Sequence, residues 1–219
     1  MASSLGSRMA YNKAKEAINA AGFSVSQAVL SQGYLRLEQT LVTGKTLYTF
    51  SVLQNDSSQG SINPTEARLA LQDAFYTSSL GVFLSKTTNS AQIMQSYPDP
   101  LTFSGAGDAA ALGTIYNSWL SITTNNRQIV PNYDLSRHYY VPQTQSSTNG
   151  FFATGTAQKN QIDMNSNGFA AIEPGWVIVG SKNNSIQVTL PAGMTLTGTD
   201  IKLCLVFRGH LGQNVTPVR

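Results

Sequence analysis

The side chains suited to nucleophilic or acid–base chemistry are few and widely spaced in this chain. It has two histidines, His138 and His210, and one cysteine, Cys204. Hydrolysis needs a nucleophile, a base and a group that orients the base, and the sequence has no Gly-x-Ser-x-Gly elbow. Cys204 lies in an apolar run, where a cysteine is typically a buried filler. We therefore expect structural roles for all three residues and predict that the protein is not an enzyme.

Paired carboxylates are the remaining route to catalysis. Glycoside hydrolysis uses two carboxyl groups on either side of the scissile bond. Four acidic residues could converge in space, namely Asp99, Asp108, Asp134 and Glu173. No motif singles out a pair among them, so a polysaccharide-degrading enzyme is the weakest of the hypotheses.

Two segments imitate ligand-binding loops but fail at a defining position. Gly44-Lys45-Thr46 resembles the end of a phosphate-binding loop, but Gln39 stands where that loop has its first glycine. Segment 163–168 alternates Asp and Asn before a glycine, as a calcium loop does, but Pro174 occupies the twelfth position, where the loop has glutamate. We interpret the first as a hairpin turn and the second as an Asn-rich turn. We expect no cofactor, metal or small-molecule substrate.

The composition is that of a neutral polar protein. Charged residues make up 11% of the 219 residues, and the formal net charge is +3, whereas about a quarter of an average soluble protein is charged. Ser, Thr, Asn and Gln contribute 24, 21, 16 and 15 residues. No stretch approaches the roughly 20 apolar residues of a membrane-spanning helix, and the N-terminal region lacks the apolar core of a secretory signal. The composition argues against coiled coils and disorder and favours a folded, turn-rich β protein.

Alternating hydrophobicity predicts that most of the chain forms short β-strands. In 47–52, 186–190 and 201–208, large apolar residues occupy every second position, which is typical of strands buried on one face. Further strands are expected at 34–42, 80–84, 119–123, 151–154 and 176–179. About eight short strands without long intervening helices predict a mainly β fold, an antiparallel β-sandwich that is jelly-roll-like.

An N-terminal helix is the clearest exception to the β pattern. Residues 4–21 are rich in strong helix formers and are followed by Gly22. We divide the chain into an N-terminal helical arm, residues 1–22, and a single β-sandwich domain, residues 23–219. Because the apolar stripe of the helix is mostly alanine, it buries little area. The helix therefore either packs on a neighbouring subunit or lies on its own sheet.

Two inner segments have helical character. The alanine-rich stretch 105–112 is expected to open a short helix. Segment 65–75 follows a proline, as a helix start does, but it also alternates as a strand does. Both alternatives stay open for 65–75.

Several segments resemble parts of bacteriophage virion structural proteins. They are 115–127 (IYNSWLSITTNNR), 129–131, 137–143 (RHYYVPQ), 63–69 (NPTEARL) and 80–84 (LGVFL). The resemblance implies a capsid or capsid-associated subunit that assembles in the host cytoplasm and resides in the virion. Its partners would be copies of itself and other virion proteins. Low charge suits such a role, because neutral polar side chains are cheaper to desolvate at a contact than charges.

Nine residues form the candidate interface. Those of the arm are Arg8, Met9, Lys13, Lys15 and Ile18, and those of the aromatic segment are Tyr133, Arg137, Tyr139 and Tyr140. The basic residues of the arm would face either packaged nucleic acid or a neighbouring subunit. The alternative function is a receptor- or glycan-binding module of a phage particle, with the tyrosines as a stacking platform for sugars.

Overall fold

The structure is a computed structural model that describes residues 5–54, 65–87, 94–100, 102–141, 144–145, 158–159 and 168–218. Over these residues the chain is mainly β, with antiparallel sheets and two α-helices, which confirms the predicted class. The elements in chain order are α1 (Leu5–Ala20), β1 (Phe23–Ser24), β2 (Val29–Thr40), β3 (Leu47–Phe50), β4 (Ala74–Lys86), α2 (Asp108–Leu112), β5 (Trp119–Thr124), β6 (Arg127–Asp134), β7 (Thr144–Gln145), β8 (Gln158–Lys159), β9 (Phe169–Val179), β10 (Asn184–Thr189), β11 (Ile201–Gln213) and β12 (Thr216–Pro217). Short 3₁₀ turns cover Gly113–Asn117 and Leu135–His138.

The eight longer strands form two four-stranded sheets. The strand order is β2-β11-β4-β9 in the first sheet and β3-β10-β5-β6 in the second, whereas β1 pairs with β12 and β7 with β8. Counted along the chain, the first of the eight pairs with the last, the second with the seventh, the third with the sixth and the fourth with the fifth. The strand pairing is therefore nested.

One hydrophobic cluster takes its side chains from both sheets. Tyr48 and Phe50 of β3 and Ile186 and Val188 of β10 are at most 1% exposed, as their alternation predicts. Leu205 of β11 joins them from the other sheet. The predicted strands 47–52 and 186–190 therefore have the expected buried face.

Strand β11 is buried on both faces, so the prediction of a strand with one buried face was wrong there. Cys204 is 0% exposed and Val206 5% exposed, although both alternate with the core residues. The reason is a second layer of side chains: this face of β11 packs in a small cluster with Phe83, Met94 and Phe169.

Helix α1 lies against its own chain through its second half. Ala14 and Ile18 are 0% exposed and pack in a second cluster that includes Phe23, Val179 and Val215. The described side chains before Ala14 are exposed or half-buried. The alternative of a helix lying on its own sheet therefore holds for the second half of α1 and not for the first.

Three local predictions have mixed outcomes. The short helix expected in 105–112 is present as α2. Segment 65–75 forms neither helix nor long strand: Ala67 pairs singly with Arg36 and Leu69 with Leu53, and β4 then begins at Ala74. The expected strand at 151–154 and the Asn-rich segment 163–167 lie outside the described residues.

The segment resembling a phosphate-binding loop is a turn but not a hairpin. Gly44 has φ +79°, a left-handed conformation that glycine adopts without strain. The turn joins β2 to β3, which belong to different sheets. A hairpin would have required these two strands to pair with each other.

No helix in the described ranges is long and apolar enough to cross a membrane.

Candidate functional site

Of the residues suited to nucleophilic or acid–base chemistry, His138 and Cys204 are buried, and His210 is half-buried on β11. His138 is 0% exposed, and its Nδ1 donates to the carbonyl of Gly168 at 3.1 Å. Burial lowers the pKa of His138 to about 4, although this hydrogen bond opposes the shift. Burial also raises the pKa of the Cys204 thiol to about 12. At neutral pH His138 is therefore uncharged and Cys204 is a thiol, and both side chains are buried away from solvent.

The four acidic residues considered for glycoside chemistry have local contacts of their own. Asp134 accepts hydrogen bonds from the backbone and hydroxyl of Ser136, which lower the pKa of its carboxyl. Asp99 accepts one from Thr102 at 3.3 Å. Glu173 forms an exposed ion pair with Lys13 at 3.3 Å.

Asp108 is the one buried member of the four, at 2% exposure. Its carboxylate accepts hydrogen bonds from Thr197 and Gly198. Burial would raise the pKa of Asp108, but these hydrogen bonds outweigh it and hold the pKa below its usual value. A general acid needs a raised pKa, and neither Asp108 nor Asp134 has one. Within the described ranges, no three His, Cys, Asp or Glu side chains form a group that could hold a metal ion.

The outer face of the second sheet is nearly free of charge. Residues directly opposite each other on paired strands share a face, and the core side of this sheet is known from its buried residues. The residues of the opposite side, which we call the neutral face, are Leu47, Thr49, Trp119, Ser121, Thr123, Gln128, Asp134, Ser185, Gln187 and Thr189. Asp134 is the single charged member, and it stands on the edge strand β6. All ten side chains are exposed or half-buried.

The outer face of the first sheet is different, because the chain covers part of it with charged side chains. Glu38 is 3% exposed and accepts hydrogen bonds from Arg36 at 2.8 Å, Lys202 at 3.0 Å and Thr65 at 2.6 Å. Burial would raise the pKa of Glu38, but the hydrogen bonds and the two cations outweigh it and lower the pKa.

A second buried ion pair adjoins Glu38. Glu66 and Arg68 form an ion pair at 3.0 Å, and their side chains are 1% and 3% exposed. Glu66 also accepts a hydrogen bond from the backbone N–H of Glu38. Five charged residues are therefore concentrated on the first sheet, whereas the second sheet presents neutral side chains.

The arm residues of the candidate interface are divided by the structure. Arg8, Met9, Lys13 and Lys15 are exposed on α1, and Met9 is 57% exposed. Ile18 is fully buried against its own chain, because it lies on the stripe that packs in the second cluster. Ile18 therefore contributes to the fold and not to a free surface.

The aromatic residues of the candidate interface lie together at the end of β6. The segment does not continue as a strand after β6, because a 3₁₀ turn occupies Leu135–His138. Tyr139 and Tyr140 are 51% and 37% exposed. Tyr133 is half-buried, with its ring 5.3 Å from Trp176 in a T-shaped arrangement and the Arg137 guanidinium 5.6 Å above it. Tyr133 is thus an anchor for the segment, and Tyr139 and Tyr140 are its free surface.

The neutral face was missed from the sequence, although a signal was present. Trp119 begins a strand in which Leu120 and Ile122 occupy the core positions, so the alternation itself places Trp119 on the polar side. Leu47 stands in the same position relative to Tyr48 and is 44% exposed. Leu47 and Trp119 both lie opposite Thr189 of β10, so the two apolar side chains belong to one row across the sheet.

Comparisons of the chain with protein-family models, with characterised proteins and with solved structures give no match, so the function is inferred from these surfaces.

Proposed function

We propose that this protein is a structural subunit of a virus particle, which forms or decorates the capsid shell through contacts with copies of itself and with other virion proteins. In this proposal the protein resides in the virion and is not an enzyme. Its function is the set of contacts that it makes.

The observation that carries the proposal is the neutral face. A shell subunit must bury several surfaces, and each charge on them would have to be desolvated or paired. Thr49, Gln187 and Ser121 form a cross-strand row at the middle of the face, and their side chains donate and accept hydrogen bonds without a charge penalty. Trp119 and Leu47 add the large apolar contacts that favour association.

The nested strand order supports the proposed class of virion structural proteins by analogy of fold. We interpret the two sheets, with the first of the eight strands paired with the last and so on inward, as an antiparallel sandwich of jelly-roll type. Jelly rolls occur in viral capsid and lectin domains. Because one fold serves many functions, this analogy supports the proposal only together with the neutral face.

A charge placed on the neutral face tests the proposal. We expect the wild-type chain to form particles or rings, or to co-sediment with virus particles, in analytical ultracentrifugation and electron microscopy. Gln187→Glu and Ser121→Glu should abolish this association, because like charges brought together at an interface cost several kcal/mol. The melting temperature should change little, since both side chains are half-buried on the outer side of the sheet.

Gln213→Glu is the matched control. Gln213 is exposed at the end of β11 on the first sheet, so the same change of charge there should leave association intact. A wild-type chain that stays monomeric at high concentration and never co-sediments with particles would contradict the proposal.

Binding of sugars is the second candidate function, and the exposed tyrosines favour it. Tyr139 contributes to a cavity of about 680 Å³ together with Pro98, Pro100 and Phe103. Aromatic side chains offer flat apolar surfaces with a polar handle. Glycan-array binding that is lost in Tyr139→Ala would favour this function over the shell subunit.

A further inference from the structure

A cleft of about 570 Å³ opens on the outer face of the first sheet, beside β2. Its walls include Tyr34 and Arg36 of β2, Arg208 of β11 and Phe169 at the start of β9. Tyr34 and Arg208 are directly opposite each other in the β2–β11 pairing, and Arg36 is opposite Val206 on the same face. The topology therefore brings one exposed aromatic ring and two guanidinium groups together.

The guanidinium of Arg208 is oriented by an aromatic platform. Its central carbon lies 3.6 Å from the centroid of the Phe169 ring. The ring can lie close to the sheet because residue 81 is glycine: a Cβ there would stand 2.8 Å from Phe169 Cε1. Stacking uses the flat side of a guanidinium and leaves its N–H donors free in the plane. Among the described residues, Arg208 has no carboxylate partner.

The surroundings of the cleft carry an excess of positive charge. Arg36 and Lys202 share one carboxylate, that of Glu38, and Arg208 adds a further cation. No acidic side chain is found in the described lining. The cleft thus offers donors for an anion, whereas a neutral sugar would find few acceptors for its hydroxyl groups.

Tyr34 supplies the second recognition element. It is 58% exposed, so its ring faces solvent beside Arg208. Exposed aromatic rings next to basic side chains form stacking platforms for nucleobases. Phosphate matches the fork of donors on a guanidinium.

We propose that this cleft binds a nucleotide unit, with the phosphate on the in-plane donors of Arg208 and the base stacked on Tyr34. A free nucleotide and a single strand of nucleic acid both present this unit. The inference does not rest on the proposed shell function, because the described residues that form the cleft belong to one chain.

The test measures binding of the full chain to five probes, of which the fifth is the acidic sugar sialyllactose. Calorimetric titration compares adenosine monophosphate with inorganic phosphate and with adenosine, and fluorescence anisotropy follows a labelled oligothymidylate. We expect saturable binding of adenosine monophosphate, at least about tenfold tighter than binding of either half alone, because stacking and the phosphate contact each contribute. If the oligonucleotide binds more tightly than adenosine monophosphate, and this binding weakens between about 50 and 200 mM salt, the ligand of the cleft is a single strand. If the two bind with equal affinity, the ligand is the free nucleotide.

Variants locate the binding. Arg208→Gln and Tyr34→Ser should each weaken the binding of adenosine monophosphate about tenfold or more. Arg127→Gln, which removes an exposed arginine from β6 on the other sheet, should leave the affinity unchanged. Tyr34→Ser changes an exposed side chain, so it keeps the test valid if Arg208→Gln fails to fold.

Three outcomes would overturn the proposal. The first is the absence of saturable binding of both adenosine monophosphate and the oligonucleotide. The second is an equal loss of affinity in Arg127→Gln and Arg208→Gln, which would indicate unspecific attraction. The third is binding of an acidic sugar such as sialyllactose, with loss in Arg208→Gln, in the absence of nucleotide binding.

Discussion

Asp108 joins α2 to the loop that precedes β11. Its carboxylate accepts hydrogen bonds from the Thr197 backbone at 2.8 Å, the Thr197 hydroxyl at 2.9 Å and the Gly198 backbone at 3.0 Å. A candidate catalytic residue is therefore a connector between a helix and a loop. The ionised form is the one that these donors stabilise.

We expect Asp108→Asn to lower the free energy of unfolding at neutral pH by about 2 kcal/mol, because hydrogen bonds to a charged group are stronger than those to a neutral one. The pKa of Asp108 is lower in the folded protein than in the unfolded chain. The carboxylate therefore contributes fully to the free energy of unfolding at pH values above the unfolded pKa of about 4. This contribution is lost as the pH falls through the pKa of the folded state. Urea unfolding of both forms across this range checks the expectation.

Glu16→Gln is the control for this titration, since Glu16 is exposed on α1. Its stability should match the wild type throughout. A difference between wild type and Asp108→Asn that stays constant from neutral to acidic pH would contradict the assigned role.

Cys204 gives a direct measure of burial at the centre of β11. Its pKa is raised to about 12, chiefly by burial and further by the charge of Glu38. Because the thiolate is the reactive form, we expect a disulfide reagent at pH 8 to leave the folded protein unmodified and to label one thiol per chain in denaturant. Rapid labelling without denaturant would mean that the second face of β11 is open.

Helix α1 combines a buried and a free half. Ala14 and Ile18 are the buried positions, and Met9 is exposed in the turn before them. The helix is thus anchored by a short apolar stripe, and its first half remains available for a contact.

We expect Ile18→Ala to lower the free energy of unfolding by about 2–4 kcal/mol, because it leaves a cavity in the cluster under the helix. Met9→Ala should change stability by less than about 0.5 kcal/mol, as an exposed position does. Chemical denaturation of the two variants checks the contrast. A large loss of stability in Met9→Ala would show that the first half of α1 also packs on the fold.

Strand β6 forms one edge of the second sheet, and its middle residue Pro131 is exposed. Proline has no N–H to donate, so it protects an edge strand from pairing with another chain. An assembly of this protein would therefore use the face of the second sheet and not this edge.

At the scale of the molecule, the charges are segregated. The first sheet holds the buried ion pairs of Glu38 and Glu66, and the second presents the neutral face. Contacts through such a face depend on shape, apolar area and hydrogen bonds and not on long-range attraction.

Association through the neutral face should accordingly be insensitive to salt. We expect the sedimentation profile of the assembled protein to change little between about 0.1 and 1 M sodium chloride, because screening acts on charges. Dissociation as salt rises would instead indicate that the basic residues of α1, such as Arg8 and Lys15, hold the subunits together.

The sequence by itself determined the fold class and several of its elements. The β class, the N-terminal helix, the short helix α2 and the buried faces of β3 and β10 follow from periodicity and propensity, which act within a few neighbouring residues. These features need no knowledge of which strands meet.

Only the tertiary structure decided which surfaces exist. The packing of Phe83, Met94 and Phe169 buried the second face of β11. The pairing of β11 with β2 placed Arg208 beside Tyr34, 174 positions earlier in the chain. The same kind of long-range pairing assembled the neutral face from four separate strands and turned Ile18 inward against its own chain. Strand order joins residues far apart in sequence, and alternation along one strand carries no information about its neighbours.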